Sequence, residues 1–283
     1  MKNSLVLVII YLLITTSCEK GSDDVFFKLG SGQEFRFSDI ELYDTSTHIL
    51  YLRKNQEYLE KMYENTFSFL NHGQLIYKGS FVPGYSSSIP LGPFIHAPSM
   101  YGTYALRIEN LMHPNEQDVR KDPILINILS QYNLLHSGLN ISESSIDITI
   151  TQITFKFTVA NHDQSNLMII DPNKTGLNLF HYFTNGLYIY DLAHNEIFSS
   201  NIQHQAPDPW NSWKIEWLSE LKSGESREFI LNYTTDKPIT PGVYVTTFRF
   251  PGLGYQVTKD QLYLGNSRIW LGDITLNERR TIK

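Results

Sequence analysis

Ile146-Asp147-Ile148-Thr149-Ile150, followed after Thr151-Gln152 by Ile153-Thr154-Phe155-Lys156-Phe157-Thr158-Val159, carries an apolar side chain at nearly every second position. A period of two belongs to a strand and not to a helix. It sends Ile, Phe and Val to one face and Asp, Thr and Lys to the other, so this stretch is committed to a sheet with one buried and one wet face. The slip at Thr151-Gln152 predicts a bulge or a change of sheet. Asn161-His162-Asp163 predicts a turn before the apolar run Leu167-Met168-Ile169-Ile170.

Strands with the same character are expected at Gly186–Asp191, Trp213–Trp217, Arg227–Tyr233 and Val243–Phe250, separated by clusters of Asn, Asp, Gly and Pro. Short strands at this spacing suit an antiparallel sandwich. Trp213, Ile215 and Trp217 would share one strand face, which places both indoles in the core. Leu221-Lys222-Ser223-Gly224-Glu225-Ser226 and Pro241-Gly242-Val243-Tyr244 resemble the paired signposts of bacterial immunoglobulin-like sandwiches, where the first turn precedes one late strand and the second opens the next. The resemblance covers roughly residues 145–250. It implies an immunoglobulin-like β-sandwich domain over 145–283, with a C-terminal extension, and implies no activity.

Residues 25–140 read as a β-rich N-terminal domain interrupted by two short helices, so the fold class expected overall is mainly β. Glu34–Phe37, Ile40–Tyr43 and His48–Leu52 have strand character, and Thr66–Leu70 with Gln74–Tyr77 forms a hairpin across Asn71-His72-Gly73. One helix is expected near 54–64, with Glu57 and Lys61 one turn apart. The other is expected near 122–134, opened by an Asp122 cap and first-turn Pro123, with Ile124, Leu125, Ile128, Leu129 and Tyr132 as its buried stripe. A domain boundary is expected between Gly138 and Ser145.

The chain starts with Lys2, an apolar run Leu5–Ile14, and Thr15-Thr16-Ser17 before its only cysteine, Cys18. About ten apolar residues span only ~15 Å as a helix, half of a hydrocarbon core, so residues 1–17 read as a cleavable signal and not as a span. An ordinary secretory signal would leave Cys18 a free thiol. The segment resembles the lipobox of bacterial lipoproteins, which implies that Cys18 is acylated and becomes the new N-terminus. Multiple acyl chains make such an anchor effectively stable. Glu19–Asp24 reads as an acidic tether over 18–24, and its charge resembles the surface-export signals of Bacteroidota lipoproteins. Glu19, rather than Asp, follows the cysteine, which favours the outer membrane over the inner. The expected location is therefore the bacterial cell envelope, at the membrane through an N-terminal lipid.

A formal net charge of −6 argues against nucleic acid as a partner. No catalytic motif is complete. Gly84-Tyr85-Ser86-Ser87-Ser88 lacks the second glycine and the helix of a nucleophile elbow. Asp171–Gly176 begins like a calcium loop, but Tyr182 stands where the bidentate Glu belongs. His113, Glu116 and Asp118 offer an imidazole and two carboxylates before a helix, without a fourth ligand at recognisable spacing. No cofactor or metal is expected. Trp210, Tyr85 and Tyr101 lie in loops where burial is not forced and are the expected ligand contacts. The functional expectation is a membrane-anchored, non-enzymatic binding or structural module for an envelope protein or glycan; the alternative is an envelope hydrolase acting on glycan or peptide.

Overall fold

A computed structural model describes residues 24–57, 65–86, 88, 90–97, 99–112, 116–149, 151–184, 186–200 and 205–282. The signal segment with Cys18, most of the helix expected near 54–64, and His113 lie outside the described residues. The described chain is mainly β, arranged in several open sheets. Among the described residues no helix is long and apolar enough to cross a membrane.

The alternating segment forms a hairpin. Leu139–Ile148 and Gln152–Asn161 pair antiparallel, with Ile146 opposite Phe155 and Ile148 opposite Ile153. The slip at Thr151-Gln152 is thus a reversal of the chain, closed by the Thr149 N–H donating to the Gln152 carbonyl at 2.8 Å. A tight turn preserves the apolar face across both strands, and so leaves the same mark in the sequence as a bulge. Ser226–Thr234 pairs with the other edge of Gln152–Asn161. Facing this sheet is another, ordered Glu196–Ser199, Leu187–Tyr190, Gly242–Pro251 and Asp273–Ile282. Between them Phe155 and Phe157 each bring their ring centroids to 4.9 Å from Phe248, which is close aromatic packing across two sheets. A further sheet, ordered Leu218–Leu221, Asn166–Ile170, Ser267–Ile269 and Tyr263–Leu264, contributes Leu167, Ile169, Leu221 and Ile269 to the same core.

The N-terminal half has a six-stranded sheet, ordered Glu34–Arg36, Val25–Leu29, Thr66–Asn71, Gln74–Pro83, Gly92–Ala97 and Glu109–Leu111. Its expected hairpin turns at His72-Gly73, both at positive φ (47° and 78°), the backbone that lets a two-residue loop follow the strand twist. The helix Pro123–Gln131 starts as expected, with the Asp122 carboxylate accepting from the Ile124 N–H. It stops short of 134, and Asn133 takes a φ of 54°. Leu125, Ile128 and Leu129 are buried, and Tyr132 stacks on Phe37 at 3.9 Å, but Ile124 is exposed and lies off the stripe.

A four-stranded sheet, ordered Leu135–His136, Ile40–Asp44, Ile49–Leu52 and Ala105–Arg107, joins the two halves. Tyr43, Leu50, Leu52 and Leu106 pack into the N-terminal core, while Leu42, Ile49, Tyr51 and Ala105 pack into the C-terminal one. A strand covered on both faces has no polar positions to alternate with, which explains the unbroken apolar run Ile49-Leu50-Tyr51-Leu52, buried throughout. The segment from Gly138 to Ser145, read as a boundary, is strand from Leu139 onward.

Trp213–Trp217 is not a strand. Ile215–Trp217 is a single helical turn, and the strand begins at Leu218. Trp217 is buried, Trp213 half-buried and Ile215 exposed. Five residues of alternation fit a turn as well as a strand, and burial of Trp217 alone fixes this one. The C-terminal strand Asp273–Ile282 has too polar a sequence to be read as one; it is held by continuous pairing with Gly242–Pro251, from Gly242 opposite Ile282 to Pro251 opposite Asp273.

Candidate functional site

The incomplete motifs resolve into local structure. Asp171 caps the short helix Pro172–Thr175, accepting from the Asn173 N–H at 2.9 Å and from the Ser219 hydroxyl at 2.6 Å. The Ser86 hydroxyl donates to the Ser88 carbonyl at 2.9 Å, a turn interaction. Burial would raise the Asp118 carboxyl, but the Arg120 guanidinium at 2.8 Å and the Asn110 amide outweigh it and hold the group well below the usual carboxylate range. Among the described residues no group of three or more His, Cys, Asp or Glu is arranged to hold a metal.

A dense polar cluster is centred on a buried arginine, with Ser46 and His136 half-buried at its edge. Arg268, 1% exposed, donates to Asp44 at 2.8 Å, to Asp163 at 3.2 Å and to the Tyr51 hydroxyl at 3.3 Å. His136 meets Asp163 at 2.8 Å, and Ser46 donates to Asp44 at 2.6 Å while the Trp270 indole donates to Ser46. Burial alone would raise Asp163; the His136 hydrogen bond, the Arg268 charge and the Ser165 N–H bring it down to about 2. The cluster ties residues of the joining sheet to the C-terminal half, with its charged pairs between Arg268, Asp44 and Asp163 fully buried. Beside it, His48 lines an open cleft of about 500 Å³ with Thr45, Lys121 and His162. Burial, reinforced by the Arg120 charge, lowers His48 to about 3, so the imidazole bonded to the Tyr43 hydroxyl is uncharged at neutral pH.

An aromatic groove of about 560 Å³ lies between residues 213–216 and 260–264, walled by Trp213, Ile215 and Tyr263 and rimmed by Glu216, Asp260 and Gln261. Each aromatic side chain has its polar end tied into the protein: the Trp213 indole donates to the Gln256 carbonyl at 3.1 Å, and the Tyr263 hydroxyl donates to Glu41 at 2.6 Å. Burial and the Glu41 bond push the Tyr263 hydroxyl pKa up, which keeps it a donor. Asp260 and Gln261 of the rim are held locally. In the one-turn helix Lys259–Gln261 the Thr258 N–H donates to the Gln261 side chain and the Thr258 hydroxyl donates to Asp260 at 2.6 Å. That hydroxyl is the main reason the Asp260 carboxyl lies below its ordinary value, so Asp260 acts as an acceptor and not as a proton donor near neutral pH. The nearby cations are paired, Lys214 with Glu216 at 3.8 Å and Lys259 with Glu41.

Of the expected contact residues, Trp210 is 66% exposed in the loop leading into the groove, and Tyr85 is 86% exposed in the loop after Gln74–Pro83. Tyr101 is not a free contact. It is 8% exposed, and Arg107, itself held by Asp273, donates to its hydroxyl at 2.8 Å; its ring packs into the C-terminal core, where its edge lines a small cavity with Arg249 and Asp273. Tyr263, Asp260 and Gln261 carried no signal along the chain, since they reach the tryptophan loop only through the fold. Compared with protein-family models and with curated proteins, the chain matches none.

Proposed function

We propose that this protein is a lipid-anchored binding module of a bacterial cell envelope, attached through Cys18 at the outer membrane and presenting the tryptophan-lined groove to an envelope partner. The observation that carries the reading is the groove itself: two rings whose polar ends are satisfied internally, so that apolar faces and fixed rim groups are presented without rearrangement. An immunoglobulin-like sandwich is the scaffold we infer for the C-terminal half. It is supported by the phenylalanine packing between two of its sheets and by the Tyr244 hydroxyl donating to the Thr240 carbonyl at 2.8 Å, the corner contact typical of such domains. The Gly224 turn agrees with it: φ is 75°, and the Glu225 carboxylate accepts from the Lys222 N–H at 2.9 Å.

The anchor is tested by expressing the full chain and its Cys18→Ala variant in a bacterial host with radiolabelled palmitate. The wild-type chain should carry label and sediment with membranes, whereas the variant should be unlabelled and leave the membrane fraction. Unchanged sedimentation of the variant would overturn the lipid anchor.

A further inference from the structure

We infer that the groove between residues 213–216 and 260–264 is a subsite for an uncharged oligosaccharide. The inference rests on the groove being the contact surface, and it adds the chemistry of the ligand.

The argument starts from charge. Glu216 faces Lys214, and Glu41 is shared by Lys259 and Tyr263, so these two pairs compensate and the Asp260 carboxylate is left as a single net charge at the rim. A site with little net field neither attracts a polyanion nor holds a cation strongly. The walls come next. Trp213 and Tyr263 have used their N–H and O–H inside the protein, so what remains for a ligand is ring face and ring edge. Ring faces suit flat patches of C–H. The rim supplies the third element. Asp260 keeps carboxylate lone pairs beyond the bond from Thr258, and Gln261, whose carbonyl oxygen is taken up by the Thr258 N–H, keeps its amide donors. A ligand with apolar C–H faces, edged by hydroxyls that both donate and accept, satisfies all three conditions; a sugar ring has that construction. A basic peptide would find Asp260 as the one rim carboxylate without a paired cation among the described residues, and Glu216 and Glu41 already facing lysines, and an aliphatic peptide would leave the free lone pairs of Asp260 and the amide donors of Gln261 unused.

The test uses the full chain as expressed, in a detergent without a sugar headgroup. Tryptophan fluorescence and calorimetry are followed against neutral hexasaccharides of glucose, xylose, mannose and N-acetylglucosamine, with a heparin hexasaccharide and oligolysine as charged probes. At least one neutral probe should bind. Trp213→Ala and Tyr263→Ala should each weaken it about ten-fold, as loss of a stacking face implies. Asp260→Asn should weaken it less, and Tyr263→Phe, which keeps the ring, should bind within about two-fold of wild type; the thermal midpoint of each variant confirms that it is folded. Absence of binding by every neutral probe would overturn the inference, as would neutral-sugar binding that survives both aromatic replacements. Oligolysine binding that Trp213→Ala abolishes would overturn the carbohydrate assignment yet leave the groove as the contact surface. Failure of the Cys18 experiment would remove the anchor and leave the sugar result standing.

Discussion

Replacing Arg268 with Met removes the cation at the centre of the buried cluster while keeping much of its volume. The guanidinium is 1% exposed and is the shared partner of Asp44 and Asp163, whose side chains are fully buried. Without it two carboxylates face each other in a dry interior, and breaking a buried pair in this way typically costs about 3–5 kcal/mol. For a chain of this size, about 2–4 °C of thermal midpoint per kcal/mol gives a fall on the order of 10 °C at pH 7. The pH dependence gives the sharper check. Asp163 has a folded pKa of about 2 against an ordinary 3.8. A depressed folded pKa contributes stability that is complete above the ordinary value and is lost as pH falls through the folded one; the difference corresponds to roughly 2 kcal/mol. In Arg268→Met part of that depression is removed, and protonation of Asp163 relieves the repulsion. The gap between wild type and variant should therefore be widest near pH 7 and narrow toward pH 4. Urea denaturation at fixed pH steps measures it. A loss below about 1 kcal/mol that does not vary with pH would refute the argument that the charge of Arg268, and not its packing alone, holds the halves together. Adding Asp44→Asn and Asp163→Asn to Arg268→Met should return part of the lost stability at pH 7, since the unpaired charges are then gone.

Two further perturbations probe the halves separately. Gly79→Ala places a Cβ 2.2 Å from Phe67 Cζ and 2.6 Å from the Pro93 carbonyl; Phe67 is buried against Phe81 and has no room to swing, so denaturant titration should show a loss of about 1–3 kcal/mol. Tyr244→Phe removes the hydroxyl bonded to the Thr240 carbonyl and should cost about 1 kcal/mol by the same titration, without altering oligosaccharide binding at the groove, which Tyr244 does not line.

By itself the sequence determined what is local. The alternation of residues 146–159, the His72-Gly73 turn, the Asp122-Pro123 helix start and the strands at 226–234 and 242–251 could be read because each rests on periodicity or on a residue with a special backbone. Tertiary structure decided the rest. Ile49–Leu52 lost its alternation because both faces of its sheet are covered, and Asp273–Ile282 became a strand because a partner edge was waiting for it. Trp217 went inside on a helical turn while Ile215 stayed out, since a short period-two stretch does not outweigh the packing of a single large ring. Arg268 and Asp44, 224 residues apart, find each other only when the joining sheet docks on the C-terminal half. The groove has the same origin: an indole loop was visible in the sequence, but its second ring and its rim come from a segment some forty-five residues further on, and no rule of spacing reaches that far.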